Sequence, residues 1–198
     1  MVKAIIFDLN GLFIKSEKLS ERFEKEFNIK EEIFLPKLSG IMDLVRKPGA
    51  QESFCYWKPA LEEWGIDLSE EEFFNFWFSG EHPSEKMISF AKYLRQKGIK
   101  VFALSSNFKE RSEYYAGFPW MQEVFDKVYY SWQTGFVKPD SKAWLNVINE
   151  NNLNMEDCIY FDDQEKNIKS AESVGIKSFL FSSEEELEKI VNESLSSN

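Results

Sequence analysis

The chain has 198 residues, with 24 Lys+Arg against 34 Asp+Glu and a formal net charge of −10. That balance argues against nucleic acid as a partner, since phosphate backbones are met by clustered Lys and Arg. The single histidine, His82, excludes sites built on several, and Cys55 and Cys158 form neither a Cys-x-x-Cys unit nor a secreted disulfide framework. Any bound metal must therefore be held by carboxylates, which favour hard cations such as Mg²⁺.

The apolar fraction of 43%, with 19 Phe and 6 Trp, is ample for a buried core. The first run, Lys3–Leu9, reads as a strand, and Asp8 falls too early for the apolar core of a signal peptide. No later run approaches the roughly 18 apolar residues of a membrane span, so a cytoplasmic protein without membrane contact is expected.

Residues 15–83 then show helical signals and no strand, with breaks at Pro36, Pro48-Gly49 and Gly65 and a capping box at Ser69 and Glu72. A stretch of that length is too long for a plain loop and is read as an inserted helical subdomain ending in a hinge at Gly80-Glu81-His82-Pro83. Its aromatic run Phe73–Phe78 is expected inside that insert, with a pocket wall as the alternative. His82 is expected to be structural, and both cysteines are expected to be buried.

Four more strand-like runs follow, Ile99–Ser105, Lys127–Ser131, Cys158–Asp162 and Lys177–Phe181. Between them lie helical stretches, among them Gln164–Val174 closed by Gly175. An earlier stretch, Ser84–Lys97 closed by Gly98, leads into them, and Ser183 with Glu186 opens a last helix. Strands alternating with helices predict an α/β fold, a Rossmann-like doubly wound parallel sheet of about five strands carrying the helical insert. The core is expected over 1–14 and 84–198, and the insert over 15–83.

In such sheets ligands bind beyond the carboxyl ends of the strands. The first strand ends in Asp8-Leu9-Asn10-Gly11, the second in Ser105-Ser106-Asn107, and the fourth in Asp162-Asp163, while Lys138 follows the third. Three carboxylates meeting at one place need a cation between them, and an aspartate beside it can attack an electrophile such as phosphorus. Lys138 supplies a point charge, Ser105 a hydroxyl donor, and Gly11 a tight turn around an anion. Each residue also has an ordinary reading. Asp162-Asp163 could open the helix at Gln164, and Lys138 could be a solvated loop lysine. Their arrival at consecutive strand ends favours a site.

These same segments, Ile5-Ile6-Phe7-Asp8-Leu9-Asn10-Gly11-Leu12, Leu104-Ser105-Ser106-Asn107, Val137-Lys138-Pro139-Asp140 and Phe161-Asp162-Asp163, resemble in order the four motifs of the haloacid dehalogenase-like (HAD) hydrolase superfamily. An insert between the first two motifs resembles that family's type-I helical cap. The resemblance implies a Mg²⁺-dependent phosphatase or phosphotransferase acting on a small phosphorylated metabolite, as a monomer or dimer. It implies that Asp8 is the nucleophile and that Mg²⁺ is bound by Asp8, the carbonyl of Asn10 and Asp163, with Asp162 helping directly or through water. Ser105 and Lys138 would hold the phosphoryl oxygens, with Gly11, Ser106 and Asn107 assisting.

Position 10 departs from the pattern. The family's phosphatases carry there an aspartate that protonates the leaving group and deprotonates water, and an amide cannot do this near neutral pH. Three alternatives follow: a catalytically silent protein that binds a phosphorylated ligand, a dehalogenase-like enzyme, and an Asp→Asn variant of an active phosphatase. The dehalogenase reading is disfavoured by the Asp162-Asp163 pair and by the lack of a tyrosine at position 10. The basic residues of the insert, Lys15, Lys18, Arg22, Arg46, Lys47 and Lys58, are candidates to meet an anionic substrate without one standing out.

Overall fold

A computed structural model describes residues 2–196. In chain order, β1 (Ala4–Phe7) and β2 (Ile14–Ser16) precede four helices, α1 (Leu19–Phe27), α2 (Glu31–Val45), α3 (Phe54–Glu63) and α4 (Glu70–Phe78). After β3 (Glu81–Pro83) come α5 (Glu85–Gln96), β4 (Lys100–Ser105), α6 (Lys109–Ala116), α7 (Trp120–Val124), β5 (Lys127–Tyr130) and α8 (Ser131–Thr134). The remainder is α9 (Lys142–Glu150), β6 (Cys158–Asp162), α10 (Glu165–Ser173), β7 (Lys177–Leu180) and α11 (Glu184–Ser196).

Every side chain of β1, Ala4-Ile5-Ile6-Phe7, is buried, as expected for a strand covered on both faces. It sits at the centre of a parallel sheet of order β5-β4-β1-β6-β7. Register places Ile5 between Val101 and Ile159, and Phe7 between Ala103 and Phe161. These side chains share one face and pack on Met87 and Leu94 of α5 and Leu187 and Val191 of α11. The alternate residues Ile6, Phe102, Leu104 and Tyr160 pack on Trp144 and Val147 of α9 and Ala171 of α10. The sheet is thus covered on both sides, and the five expected strands are those observed.

Helices α1–α4 enclose a third apolar cluster, with Phe23, Phe34, Trp57 and Phe73 fully buried. The Phe23 ring lies within 6.3 Å, centroid to centroid, of Phe27, Phe34, Trp64, Phe73 and Phe76. Phe108, just beyond β4, enters the same cluster against Trp77 at 5.1 Å and ties the helices to the sheet domain. The run Phe73–Phe78 faces this cluster, the first of its two expected environments. Because ring packing of this kind leaves a cavity when truncated, Phe23→Ala is expected to lower unfolding free energy by about 3–5 kcal/mol in urea titration.

Three local expectations are corrected. Pro36 does not break the chain but lies inside α2, near its start and exposed, where the Glu32 carbonyl it leaves unpaired is open to water. Residues 15–83, read as free of strands, contain β3 and most of β2, which pair antiparallel so that Lys15 faces His82. Cys55 is exposed on α3, while Cys158 is buried as expected. The capping box of Ser69 and Glu72 forms in full at the start of α4. Among the described residues, no helix is long and apolar enough to cross a membrane.

Candidate active site

Strands β1, β4 and β6 run parallel, so their carboxyl ends bring Asp8, Ser105 and Asp162 to one edge of the sheet. Asp8 is 6% exposed, Asp162 is 0% and Lys138 is 8%. The Lys138 ammonium lies between the two carboxylates, 2.9 Å from Asp8 Oδ1 and 2.7 Å from Asp162 Oδ2. Burial alone would strip its proton, but Asp8 and Asp162 outweigh it and hold the ammonium above its usual pKa. Burial pushes the Asp8 carboxyl up to about 6; Lys138 pulls it back and Asp162 adds to the rise.

Asp162 is saturated by protein donors. Its Oδ1 accepts from the Gln164 N–H and the Asn167 amide, both at 2.9 Å, and its Oδ2 accepts from Lys138 and the Tyr160 hydroxyl. Its main work is therefore to hold Lys138. One carboxylate oxygen from each of Asp8, Asp162 and Asp163 falls within 4.8 Å of the others. Gly11, at φ +86°, packs directly on Asp163: a Cβ there would stand 2.5 Å from its Oδ2. Hard oxygen donors at this spacing, with glycine clearing their approach, fit Mg²⁺.

A cavity of about 130 Å³ opens beside these groups, lined by Asp8, Asn10, Ser105, Ser106 and Lys138 among others. That is below the ~300–1,000 Å³ of drug-sized ligand sites, and suits a small occupant. Ser106 accepts the Lys138 backbone N–H at 2.9 Å and so fixes the loop that carries the lysine. Asn107 does not line the cavity. It is buried behind it, its side-chain oxygen taking the Phe108 N–H at 3.0 Å at the turn into α6.

Asn10 is built into a polar chain. Its amide donates to the Tyr115 hydroxyl at 2.7 Å, and that hydroxyl donates to Glu81 at 3.0 Å. Glu81, 6% exposed, is held in turn by Arg111 at 2.5 Å and by Ser16 at 2.6 Å. The Ser105 hydroxyl reaches Asn10 Oδ1 at 3.4 Å. An amide suits this position because Tyr115 has already committed its one hydrogen to Glu81 and can only accept from Asn10.

Sequence reading missed Arg111, Tyr115 and Glu81, since no motif spacing links α6 to β3. Of the six basic residues considered in the insert, Arg46 alone lines the cavity, joined there by Arg111 and Lys166. Lys15 is paired instead with Glu184, Lys18 with Glu21, and Arg22 with Glu17. His82 is exposed, 3.3 Å from Glu17.

The carboxyl edge of this doubly wound sheet thus holds a buried Asp–Lys–Asp line beside a third carboxylate and a small cavity lined by Arg46, Arg111, Lys138 and Lys166. A family model described as haloacid dehalogenase-like hydrolase matches residues 2–175, and the chain belongs to that family. Among curated proteins it is 29% identical over 107 residues to a drimenol cyclase of Aspergillus calidoustus, a match covering 52% of this chain and 20% of that protein. The chain thus spans about a fifth of that relative's length. Among solved structures it resembles a HAD family enzyme of Bacteroides thetaiotaomicron, with a TM-score of 0.79, 23% identity, and coverage of 91% of this chain and 94% of the other. The same enzyme in complex with magnesium and inorganic phosphate gives a TM-score of 0.78 at 21% identity, covering 92% and 95%. A HAD-like family hydrolase of Porphyromonas gingivalis gives 0.73 at 23%, covering 91% of each chain. These likenesses establish a shared fold.

Proposed function

We propose that the protein is a Mg²⁺-dependent phosphatase acting on a small phosphorylated metabolite, with Asp8 as nucleophile and residues 15–83 forming a cap over the site. The observation that carries this reading is the buried Lys138 ammonium bridging Asp8 and Asp162, with Asp163 and Ser105 alongside. That set can hold a phosphoryl group in line with a carboxylate. Asp8, Asp163 and the Asn10 carbonyl would hold the ion, with Asp162 acting through Lys138 and water. The ion would neutralise charge on the phosphoryl oxygens.

In the first step an Asp8 oxygen forms a bond to phosphorus as the ester P–O bond breaks, giving an aspartyl-phosphate and an alcohol that takes its proton from water. Lys138 and Ser105 stabilise the equatorial oxygens. Water then attacks phosphorus, releasing phosphate and restoring the Asp8 carboxylate. Asn10 supplies no proton to the leaving group, so turnover of alkyl phosphates is slow. Asn10→Asp is expected to raise kcat on alkyl phosphates by about 10²–10⁴-fold, with a smaller gain on an aryl phosphate. Turnover by neither form, with inorganic phosphate binding unchanged in Asp8→Ala, would sink the enzyme reading.

One observation favours a second reading, a silent binder of a phosphorylated ligand. The Asn10 amide donates to Tyr115 and accepts from Ser105, as a settled structural role would have it. A parent protein that binds phosphate without turnover, and gains activity only as Asn10→Asp, would support it.

A further inference from the structure

Arg46 stands at the end of α2, where the helical insert meets the cavity that also holds Asp8 and Ser105. Its Nε–H is buried and has no acceptor, and among the described residues its guanidinium forms no ion pair. Burial and the nearby charge of Arg111 both push its pKa down, while Asp43 and Asp8 pull the other way from beyond pairing distance. A partly buried, unpaired cation facing a second cation is costly unless an anion joins them. Arg111 repeats the pattern. One side of its guanidinium is taken by Glu81 and Ser16, yet its Nε–H is likewise buried without an acceptor. Both residues line the one cavity; of the two other cations there, Lys138 is already matched by Asp8 and Asp162, and Lys166 is exposed to water.

We propose that Arg46 and Arg111 bind a carboxylate on the leaving-group side of the substrate, so that the protein takes the phosphate ester of a short hydroxy acid. This rests on the phosphatase reading for which end of the ligand meets Asp8. Guanidinium forks match the planar, two-oxygen geometry of a carboxylate, and a cavity of about 130 Å³ holds a phosphoryl group with only a short acid attached. The pairing also accounts for an acidic protein taking a doubly anionic ligand. The positive charge is local, and Arg46 delivers part of it from the helical side, where it is satisfied only when ligand is present.

The test is calorimetric binding of two inert probes to the intact protein with Mg²⁺, phosphonoacetate and its neutral isostere phosphonoacetamide. Phosphonoacetate is expected to bind roughly 10- to 100-fold more tightly, the difference set by charge-assisted hydrogen bonds. In Arg46→Gln this gap should collapse to less than about threefold while phosphonoacetamide binds as in the parent, which also shows that the variant is folded. Equal binding of the two probes by the parent overturns the proposal. So does a gap that survives in Arg46→Gln, or an equal weakening of both probes, which would assign Arg46 to the phosphoryl group. Because binding is read without turnover, the two readings fail separately. A gap without phosphatase activity leaves the carboxylate site standing. Asp8-dependent turnover of an aryl phosphate without a gap overturns this proposal alone.

Discussion

Asp8→Asn is expected to remove phosphatase turnover, by about 10⁴-fold or more in kcat, because an amide oxygen is a poor nucleophile and no other group replaces it. The same substitution is expected to leave the fold intact or to stabilise it. Asp8 is 6% exposed and burial pushes its carboxyl up to about 6, so at neutral pH its charge is held at a cost that asparagine removes. Lys138 is not orphaned by the change, since it keeps Asp162 at 2.7 Å and the Tyr160 hydroxyl at 3.3 Å. Thermal unfolding of both proteins in chelator, beside turnover of an aryl phosphate with Mg²⁺, separates the two effects. A loss of activity together with a large fall in Tm would mean that Asp8 is structural.

Lys138→Met is expected to act in the opposite way and to damage both. Removing the ammonium leaves Asp162 at 0% exposure without its counter-charge, and Asp8 without its only ion pair among the described residues. Breaking a buried ion pair from one side costs about 3–5 kcal/mol, a large share of the ~5–15 kcal/mol that stabilises a typical domain. The Tyr160 hydroxyl, the Gln164 N–H and the Asn167 amide still reach Asp162 but bring no formal charge. Adding Asp162→Asn to Lys138→Met should therefore recover stability without recovering turnover, a coupling that a double-mutant cycle in urea measures directly. Additive effects of the two substitutions would show that the bridge is energetically empty.

The strand ends were legible because each joins an unbroken apolar run to a sudden polar residue. Phe7-Asp8, Leu104-Ser105 and Phe161-Asp162 mark the edge of a sheet that is buried until it reaches the site. The helix stops at Gly98 and Gly175 were legible for a similarly local reason, since both adopt positive φ. The two-stranded sheet of β2 and β3 was not. Ile14-Lys15-Ser16 and Glu81-His82-Pro83 have three residues each and no alternation, and they are strands only because the chain returns to the same place. Pro36 misled for a related reason, because a proline near an exposed helix start frees only a carbonyl that water satisfies.

The same division runs through the site. The sequence by itself determined the class of fold, the order of the four strand-end motifs and the absence of an acid at position 10, all written in neighbouring residues and their apolar periodicity. Only the tertiary structure decided what surrounds Asn10 and what the helical insert contributes. The Asn10–Tyr115–Glu81–Arg111 chain joins residues from β1's end, α6 and β3, and Arg46 stands apart from five other basic residues only by lining the cavity. The physical reason is that a charge is ordinary in the sequence and becomes informative when burial removes its water. Arg46 and an exposed cation such as Lys18 read alike along the chain, but an unpaired guanidinium with a buried N–H in a cavity calls for an anion, and a solvated ammonium does not.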